Sequence, residues 1–264
     1  MTYSFISGAT GGIGSAFAIC LAKQNANLFL TGRSIQKLNQ LKSEIINSFS
    51  DKNIDIVTFA CDMTKEEERK SMFDFIDQNG YTFDRICNVA GVDIQKGFTD
   101  YTLEKLLFQI RVNCEGTVSI THQLLQRRAE NLEIVTVSSM SGVSPMPYFA
   151  LYSASKSMLT NLFTALHYEL KDDNVKVTTV LPGGVYTRPD IVEDIKGQGL
   201  WGKLSAKTPE FVAQKSLKAV KKNKVVYIPG FFNKFLNFVM KILPKGIVLN
   251  FIKNRWKKQT KDAF

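Results

Sequence analysis

Residues 3–14 read YSFISGATGGIG, and this stretch decides the fold. The apolar run at its start predicts a buried β-strand, and Gly8, Gly12 and Gly14 follow it in a G-x-x-x-G-x-G pattern. A helical pattern begins at Ile13, so the glycines lie between a strand and a helix N-terminus. A phosphate diester needs backbone N–H groups at close range, and glycine permits that approach because it has no Cβ. The stretch therefore predicts a phosphate-binding turn within a βαβ unit.

The rest of the chain alternates strand and helix patterns. The strand candidates are residues 3–7, 27–31, 54–60, 84–88, 132–138, 175–181 and 225–229. The helical patterns between them include residues 13–24, 35–49 and 65–79. This alternation predicts an α/β fold: a three-layer, Rossmann-like, doubly wound parallel sheet of seven strands with helices on both faces. We expect one domain over residues 1–230 and a short helical C-terminal extension over residues 231–264.

Composition narrows the class of protein. With 264 residues, of which 44% are hydrophobic, the chain is long enough to bury one sizeable core. Its four cysteines are widely separated and form no C-x-x-C pair, which indicates core thiols of a reducing compartment and no metal site. No secretory signal pattern or long apolar run is present. We expect a cytoplasmic protein.

The net charge of +10 is unevenly distributed. From Lys215 to the end there are thirteen basic residues and one acidic residue, whereas residues 1–214 carry 21 basic and 23 acidic residues. The basic character therefore belongs to the C-terminal segment, and this distribution argues against a nucleic-acid partner.

A second informative stretch, residues 138–156, reads SSMSGVSPMPYFALYSASK. Tyr152 and Lys156 are spaced i, i+4, which places both side chains on one face of a predicted helix starting near Phe149. An adjacent cation lowers the pKa of a phenol, so we expect Lys156 to bring that of Tyr152 closer to neutral. Such a phenol exchanges protons with a substrate oxygen. Ser139, thirteen residues before Tyr152, and its neighbour Ser138 end the preceding strand.

The end of the second strand, LFLTGRS, indicates the cofactor type. An acidic residue here would favour the ribose 2′-hydroxyl of NAD, but the chain has Arg33 and then Ser34. A guanidinium favours a 2′-phosphate through charge and forked hydrogen bonds. We therefore expect NADP(H), although a surface arginine in a loop is the alternative.

Taken together, these motifs resemble those of the short-chain dehydrogenase/reductase family, of the single-domain type that includes hydroxysteroid dehydrogenases and ketoacyl reductases. The similarity covers residues 1 to about 230. The resemblance implies catalytic roles for Asn113, Ser139, Tyr152 and Lys156, of which the thirteen-residue spacing favours Ser139 over Ser138. It implies cofactor contacts, in chain order, at Gly8, Thr10, Gly12, Ile13, Gly14, Arg33, Ser34, Asp62, Met63, Asn88, Ala90, Gly91, Tyr152, Lys156, Pro182, Gly183, Val185 and Thr187.

The resemblance also implies a mechanism. Tyr152 would act as the general acid in reduction and as the base in oxidation, and Lys156 would lower the pKa of Tyr152 and hold the nicotinamide ribose. Ser139 would donate a hydrogen bond to the carbonyl oxygen. Asn113 would fix a water that relays protons, with capping of backbone groups as the structural alternative.

The leading hypothesis is an NADPH-dependent oxidoreductase that interconverts a ketone and a secondary alcohol on an apolar substrate, such as a hydroxysteroid or ketoacyl group. A nucleotide-sugar epimerase or dehydratase shares the Tyr–Lys pair, but the shorter chain and the lack of a C-terminal substrate domain argue against it. A non-catalytic NADPH-binding module is disfavoured because the Ser, Tyr and Lys are all present. We expect substrate selectivity to arise within residues 188–207, whose glycines and apolar residues suit a closing lid.

The tail, residues 231–264, alternates apolar clusters with lysines, and Pro244 and Gly246 divide it into two short amphipathic helices. One interpretation is a peripheral membrane contact at the inner membrane surface. The other, which we favour, is a cap that packs on the substrate cleft or on a partner subunit. A homo-oligomer, most simply a homodimer, is expected.

Overall fold

The structure is a computed structural model and describes residues 1–197 and 199–257. Its strands are β1 (Thr2–Ser7), β2 (Asn27–Gly32), β3 (Ile56–Ala60), β4 (Thr82–Asn88), β5 (Arg128–Val137), β6 (Val175–Val180) and β7 (Val226–Tyr227). Its α-helices are α1 (Gly12–Ala22), α2 (Ile35–Ser48), α3 (Glu66–Gln78), α4 (Leu103–Ile110), α5 (Thr117–Leu125), α6 (Ala150–Glu169), α7 (Pro189–Gly197), α8 (Gly199–Ser205), α9 (Pro209–Lys221), α10 (Phe231–Ile242) and α11 (Lys245–Trp256).

The seven strands form one sheet in the order β3-β2-β1-β4-β5-β6-β7, and every neighbouring pair is parallel. This confirms the predicted doubly wound α/β fold. The chain winds outward from β1 in one direction through β2 and β3, and in the other direction from β4 onward. The carboxyl ends of β1 and β4 therefore border the topological switch point, where ligands bind in open sheets of this kind.

Two apolar cores cover the two faces of the sheet. Ile6 and Leu28 belong to the core beneath α1, α2 and α9, whereas the alternate residues Phe5 and Phe29 belong to the core beneath α3, α5 and α6. Because both faces are buried, the strands are apolar at nearly every position, as expected of a parallel sheet. The four cysteines are all buried in these layers or close to them.

Strand boundaries differ most from the prediction at β5 and β7. The last strand is predicted over residues 225–229 but consists only of Val226–Tyr227, because Pro229 has no N–H to donate and Gly230 turns the chain at a φ of +90°. β5 begins at Arg128, four residues earlier than predicted, since Arg128 pairs with Phe83 of β4.

The predicted lid stretch, residues 188–207, folds as α7 and α8, and residue 198 between them lies outside the described residues. The hydroxyl oxygen of Thr208 accepts a hydrogen bond from the Phe211 N–H, and Pro209 occupies the first turn of α9. Thr208 is therefore the N-cap of α9, and the fixed φ of Pro209 suits the first turn of a helix.

Two helices, α10 and α11, form the described part of the tail. Pro244 is the residue immediately before α11, but Gly246 lies inside its first turn and does not break the chain as predicted. Residues 258–264 of the predicted tail lie outside the described residues, and the division into a domain and a tail stays a prediction. Over the described ranges, no helix combines the length and apolar character required to cross a membrane.

The turn after β1 generates a stability prediction. Gly8 has a φ of +63°, and a Cβ there would lie 2.8 Å from the Ala90 Cα. Gly80 has the same φ, but a Cβ there would meet no atom within 4 Å. We expect Gly80→Ala to lower the free energy of unfolding by about 1–2 kcal/mol through backbone strain alone, and Gly8→Ala to lower it considerably more. Urea unfolding of the two variants measures the difference, and equal losses would contradict the proposed packing constraint.

Candidate active site

The glycine-rich turn lies at the switch point. The Ser7 hydroxyl at the end of β1 accepts hydrogen bonds from the N–H groups of Val89 and Ala90, at 3.1 and 3.2 Å, and so ties β1 to the segment after β4. Helix α1 then starts with no side-chain cap and no acidic residue in its first turn. Its N–H groups and its partial positive charge are therefore available to an anion.

The predicted cofactor segments on either side of this turn come together. A Cβ at Gly12 would lie 3.0 Å from the side chain of Thr187, so the turn after β1 and the segment after β6 are in direct contact. In that segment Val185 is buried and pairs with Lys207 through a β-bridge, and the Pro182 carbonyl accepts a hydrogen bond from the Met140 N–H. Pro182, Val185 and Thr187 thus hold fixed positions beside the turn.

At the end of β2, Arg33 is exposed, and within the described ranges its guanidinium makes no hydrogen bond or ion pair. Thr10 of the glycine-rich turn lies close to Gly32, which is the residue before Arg33. The hydroxyl of Ser34 is engaged as the N-cap of α2, where it accepts a hydrogen bond from the Lys37 N–H at 3.3 Å. Arg33 is therefore the group at this corner that can reach a ligand phosphate.

Asp62 and Met63, after β3, are placed differently from each other. One carboxylate oxygen of Asp62 accepts hydrogen bonds from the backbone N–H and the hydroxyl of Thr64, at 3.0 and 2.8 Å, and fixes this turn. Met63 is buried, and its side chain packs against Gly116. Because the Met63 side chain is part of the core, the structure argues against a contact between it and a cofactor.

Two asparagines connect this end of the sheet to neighbouring helices. Asn88 is buried and donates to the hydroxyls of Thr121 on α5 and Thr136 on β5, at 2.9 and 3.2 Å. Asn113 lies in a π-helical segment, Arg111–Gly116, between α4 and α5. Its amide accepts from the Val92 N–H at 2.8 Å and donates to the Val92 carbonyl at 2.9 Å.

The Asn113 side chain therefore holds the backbone just after residues 88–91, NVAG, which we call the N-x-A-G motif. It also donates to the Ser155 hydroxyl on α6 at 3.1 Å. This arrangement corresponds to the backbone-capping alternative for Asn113. A π-helical turn is a common irregularity at functional sites, and here it brings Asn113 into contact with α6.

The two serines after β5 have different partners. Ser138 donates to the Lys156 carbonyl at 2.7 Å and also hydrogen-bonds the Thr160 hydroxyl, so it fastens α6 to β5. The Ser139 hydroxyl accepts from the Ser141 N–H at 3.0 Å and lies beside the phenol of Tyr152, whose pKa it lowers. The thirteen-residue spacing thus brings Ser139, rather than Ser138, to the phenol.

The pKa of Tyr152 differs from the sequence-based expectation. Desolvation by the surrounding protein raises this pKa well above its usual value, and the nearby Asp93 carboxylate adds to the increase, whereas the Ser139 hydrogen bond lowers it. Lys156 is not among the groups that shift the pKa of Tyr152. The prediction that Lys156 brings the phenol towards neutrality is therefore wrong for this structure, and Tyr152 is held protonated.

Lys156 is buried beside the phenol. Its Nζ donates to the Val137 carbonyl at 3.0 Å and lies 5.7 Å from the centre of the Tyr152 ring. A Cβ on Gly91 would lie 3.1 Å from this Nζ, so the N-x-A-G segment passes directly over the ammonium group. Burial lowers the pKa of Lys156 to about 8.

Sequence reasoning missed an aromatic stack on the catalytic helix. The ring of Phe149 stacks on Tyr152 at 4.4 Å between centroids, and Trp256 of α11 stacks on Phe149 at 5.3 Å. Asp93, which raises the pKa of Tyr152, was also missed. Its position two residues after the N-x-A-G motif is a signal that could have suggested it, whereas no spacing rule connects Trp256 to Phe149.

Comparisons with known proteins identify the family of the chain. The sequence model of the family described as short chain dehydrogenase matches residues 3–195. An uncharacterised oxidoreductase of Staphylococcus haemolyticus is 34% identical over 187 residues, which cover 70% of this chain and 78% of the relative. Dehydrogenase/reductase SDR family member 7B of Mus musculus is 26% identical over 266 residues, covering 97% of this chain and 82% of the relative.

Among solved structures, one from a study of 7β-hydroxysteroid dehydrogenase stereoselectivity superposes with a TM-score of 0.84 at 23% sequence identity. The match covers 95% of this chain and 96% of that one. At this identity the similarity is evidence of a shared fold.

Burial of Lys156 predicts a pH-dependent stability. The folded pKa of about 8 lies below the ordinary value of 10.5, so the unfolded chain binds more protons between these values. The free energy of unfolding of the wild type, relative to Lys156→Met, should therefore rise by about 1–3 kcal/mol as the pH increases from 7 to 10. Urea unfolding at both pH values measures it. Lys70→Met, at an exposed lysine of α3, serves as the control and should show no such change; a constant wild-type difference for Lys156 would contradict the prediction.

Proposed function

Because the chain belongs to the short-chain dehydrogenase family, whose members are oxidoreductases acting on hydroxyl and carbonyl groups with a nicotinamide dinucleotide, we propose that it interconverts a ketone and a secondary alcohol on an apolar substrate, using NADP(H). The observation that carries this proposal is the placement of Lys156, buried with its Nζ 5.7 Å from the centre of the Tyr152 ring, and of Ser139, whose hydroxyl lowers the pKa of the same phenol. A proton donor, a hydrogen-bond donor and a cation converge at the carboxyl end of the sheet.

The residues at the switch point fit a dinucleotide. The turn leaves no room for a Cβ at Gly8 or Gly14, so the backbone itself forms the floor of the cradle. Gly12, Thr10 and Ile13 complete the turn, and the uncapped N-terminus of α1 would hold the pyrophosphate. Asp62, Asn88, Ala90, Gly91, Pro182, Gly183, Val185 and Thr187 would border the rest of the cofactor, and when bound it would supply or accept the hydride.

The side chains would divide the proton chemistry. In reduction, Tyr152 donates its phenolic proton to the substrate carbonyl oxygen, and its raised pKa keeps that proton in place until negative charge develops. Ser139 donates a hydrogen bond to the same oxygen. Lys156 stabilises the phenolate formed afterwards and would hold the ribose hydroxyls. Asn113 is a positioning residue, because it fixes the Val92 backbone and Ser155 beside Lys156.

The preference for NADP(H) rests on Arg33. Its exposed guanidinium follows β2, at the corner where the adenosine ribose would lie, while the hydroxyl of Ser34 beside it caps α2. A charged donor in this position favours a 2′-phosphate over a neutral hydroxyl.

An apolar substrate is supported by the surroundings of Tyr152. Apolar side chains of Ile94, Phe98, Leu106 and Leu151 line a recess at the first turn of α6, next to Tyr152 in the chain. Lys96, Tyr101 and Gln109 provide the polar groups of these walls. Such a mixture suits a largely hydrophobic ligand oriented by a few polar contacts. The structurally similar 7β-hydroxysteroid dehydrogenase supports the same substrate class, and the stack of Trp256 on Phe149 supports the tail as a cap over this side of the site.

We also propose a cytoplasmic homodimer. Leu103, Leu107 and Ile110 are exposed and lie at i, i+4 and i+7 on α4. This spacing places them on one face of the helix, where a second copy would cover them.

A screen of ketones and secondary alcohols with NADPH and NADP⁺, followed by the absorbance of the reduced nicotinamide, tests the proposed reaction. In that assay Tyr152→Phe should lower turnover at least about a thousandfold, because the ring still stacks on Phe149 but the proton donor is lost. Binding of NADPH, measured by fluorescence, should change little.

Tyr168→Phe is the matched control, since Tyr168 lies on the same helix but is exposed. It should turn over at the wild-type rate. Near-normal turnover by Tyr152→Phe would refute the mechanism, and the absence of any turnover by the wild type across both substrate classes would refute the proposed reaction.

Cofactor choice gives a separate prediction. Arg33→Ala should weaken NADPH binding by roughly 1.5–3 kcal/mol, the contribution of a hydrogen bond to a charged group, and should leave NADH binding almost unchanged. Titration of both cofactors measures this difference. Lys37→Ala, an exposed cation one turn into α2, is the control for general electrostatic attraction; equal losses for both cofactors in Arg33→Ala would show that Arg33 does not contact the 2′-phosphate.

A further inference from the structure

Helix α10 carries an exposed apolar stripe. Phe231, Phe235, Phe238 and Ile242 lie at i, i+4, i+7 and i+11, which is one face of an α-helix. Their exposed fractions are 86%, 52%, 60% and 64%, so this outer stripe has no cover within the described part of the chain. Three phenylalanines and an isoleucine in a row on a surface mark an interaction site, since isolated exposed apolar residues are common but aligned ones are not.

The opposite faces of the tail helices fix the orientation of this stripe. Asn233 of α10 is buried, and its amide donates to the carbonyls of Ser205 and Pro229, both at 2.9 Å. Val248 and Ile252 of α11 are also buried, and Trp256 stacks on Phe149. The helices are therefore attached to the domain by one side, and the outer stripe is presented to the surroundings on the other.

The charges around the stripe have a single sign. Residues 231–257 contain six basic residues and no acidic residue. On a helical projection Lys234 and Lys241 flank the outer stripe on the same side, and both are exposed. Exposed Lys245, Lys253 and Lys257 continue the positive charge along α11.

This charge distribution distinguishes between possible partners. A second copy docked through the same face of α10 would bring two lysine-rimmed surfaces together, and the helix offers no carboxylate to neutralise them. An anionic lipid surface, in contrast, accepts the phenylalanines among its acyl chains and the lysines among its headgroups. The two properties of the face, apolar centre and basic rim, are both satisfied only by the lipid surface.

We propose that the outer stripe of α10, with its flanking lysines, docks the protein on an anionic lipid bilayer. Docking is peripheral: the apolar side chains enter the headgroup and acyl-chain boundary while the helix lies in the plane of the membrane. The inference does not depend on the proposed reaction, because the stripe and the lysines lie outside the catalytic set.

Co-sedimentation of the full chain with vesicles tests this proposal. Vesicles of phosphatidylcholine in which roughly one lipid in three is anionic phosphatidylglycerol should bind the protein. Vesicles of pure phosphatidylcholine should bind it far less. Binding should weaken as salt is raised from about 0.05 to 0.5 M, because screening reduces the attraction between lysine and lipid.

Two sets of variants separate the apolar and basic contributions. Phe235→Ser combined with Phe238→Ser should weaken binding at least about tenfold, whereas Ile46→Ser combined with Tyr168→Ser, also exposed positions on helices, should not. Lys234→Gln with Lys241→Gln and Lys245→Gln should weaken binding on the order of a hundredfold. Lys70→Gln with Lys218→Gln and Lys222→Gln removes the same charge elsewhere and should have a much smaller effect.

Thermal unfolding verifies that each variant is folded before its binding is compared. Failure of the wild type to bind anionic vesicles, or equal binding by the phenylalanine and control variants, would overturn the proposal. A wild-type oligomer that dissociates in Phe235→Ser/Phe238→Ser would show that a second copy is the occupant and would overturn it as well.

Discussion

The structure depends on the close approach of two strand ends, where Gly8 after β1 lies against Ala90 after β4. A side chain at Gly8 would force these segments apart, and the Ser7 hydroxyl draws them together through two backbone N–H groups. The approach aligns the first turn of α1 with the N-x-A-G segment. Gly91 then passes over the Lys156 ammonium group, so the phosphate cradle and the catalytic helix share one edge of the sheet. A single packing constraint thus sets the distance between the glycine-rich turn and the side chains of Tyr152 and Lys156.

Burial is what makes this edge chemically useful. Tyr152 is half-buried and Lys156 is buried, and this desolvation raises the pKa of the phenol and lowers that of the ammonium group. Each pKa shift favours the neutral form of its side chain, so Tyr152 and Lys156 form no phenolate–ammonium ion pair in this state. Stabilisation of charge is instead available when a substrate oxygen becomes negative, which is the differential interaction that catalysis requires. The hydrogen bond from Lys156 to the Val137 carbonyl keeps its Nζ in position meanwhile.

The sequence predicted the features that depend on the regular geometry of neighbouring strands and helices. Strand and helix alternation predicts the parallel sheet, and the thirteen-residue interval selects Ser139 over Ser138, because β5 and α6 have well-defined geometry. Properties set by the surroundings could not be predicted. The pKa of Tyr152 depends on burial and on Asp93, the partners of Asn113 depend on a π-helical turn, and the burial of Met63 depends on Gly116. Each of these is a tertiary contact that no local pattern encodes.

The tail illustrates why sequence alternatives need not exclude each other. A cap and a membrane contact require different faces of the tail helices. When both faces are apolar, the sequence pattern does not show which face packs on the domain and which is exposed. In the structure Asn233, Val248 and Ile252 face the domain, while Phe231, Phe235 and Phe238 face away from it. The two interpretations can therefore hold together. A bilayer on the outer side would lie against helices whose inner side reaches, through Trp256 and Phe149, the ring of Tyr152. An apolar substrate dissolved in that bilayer would then be concentrated at the same end of the molecule as the proton donor, without any change in the catalytic residues themselves.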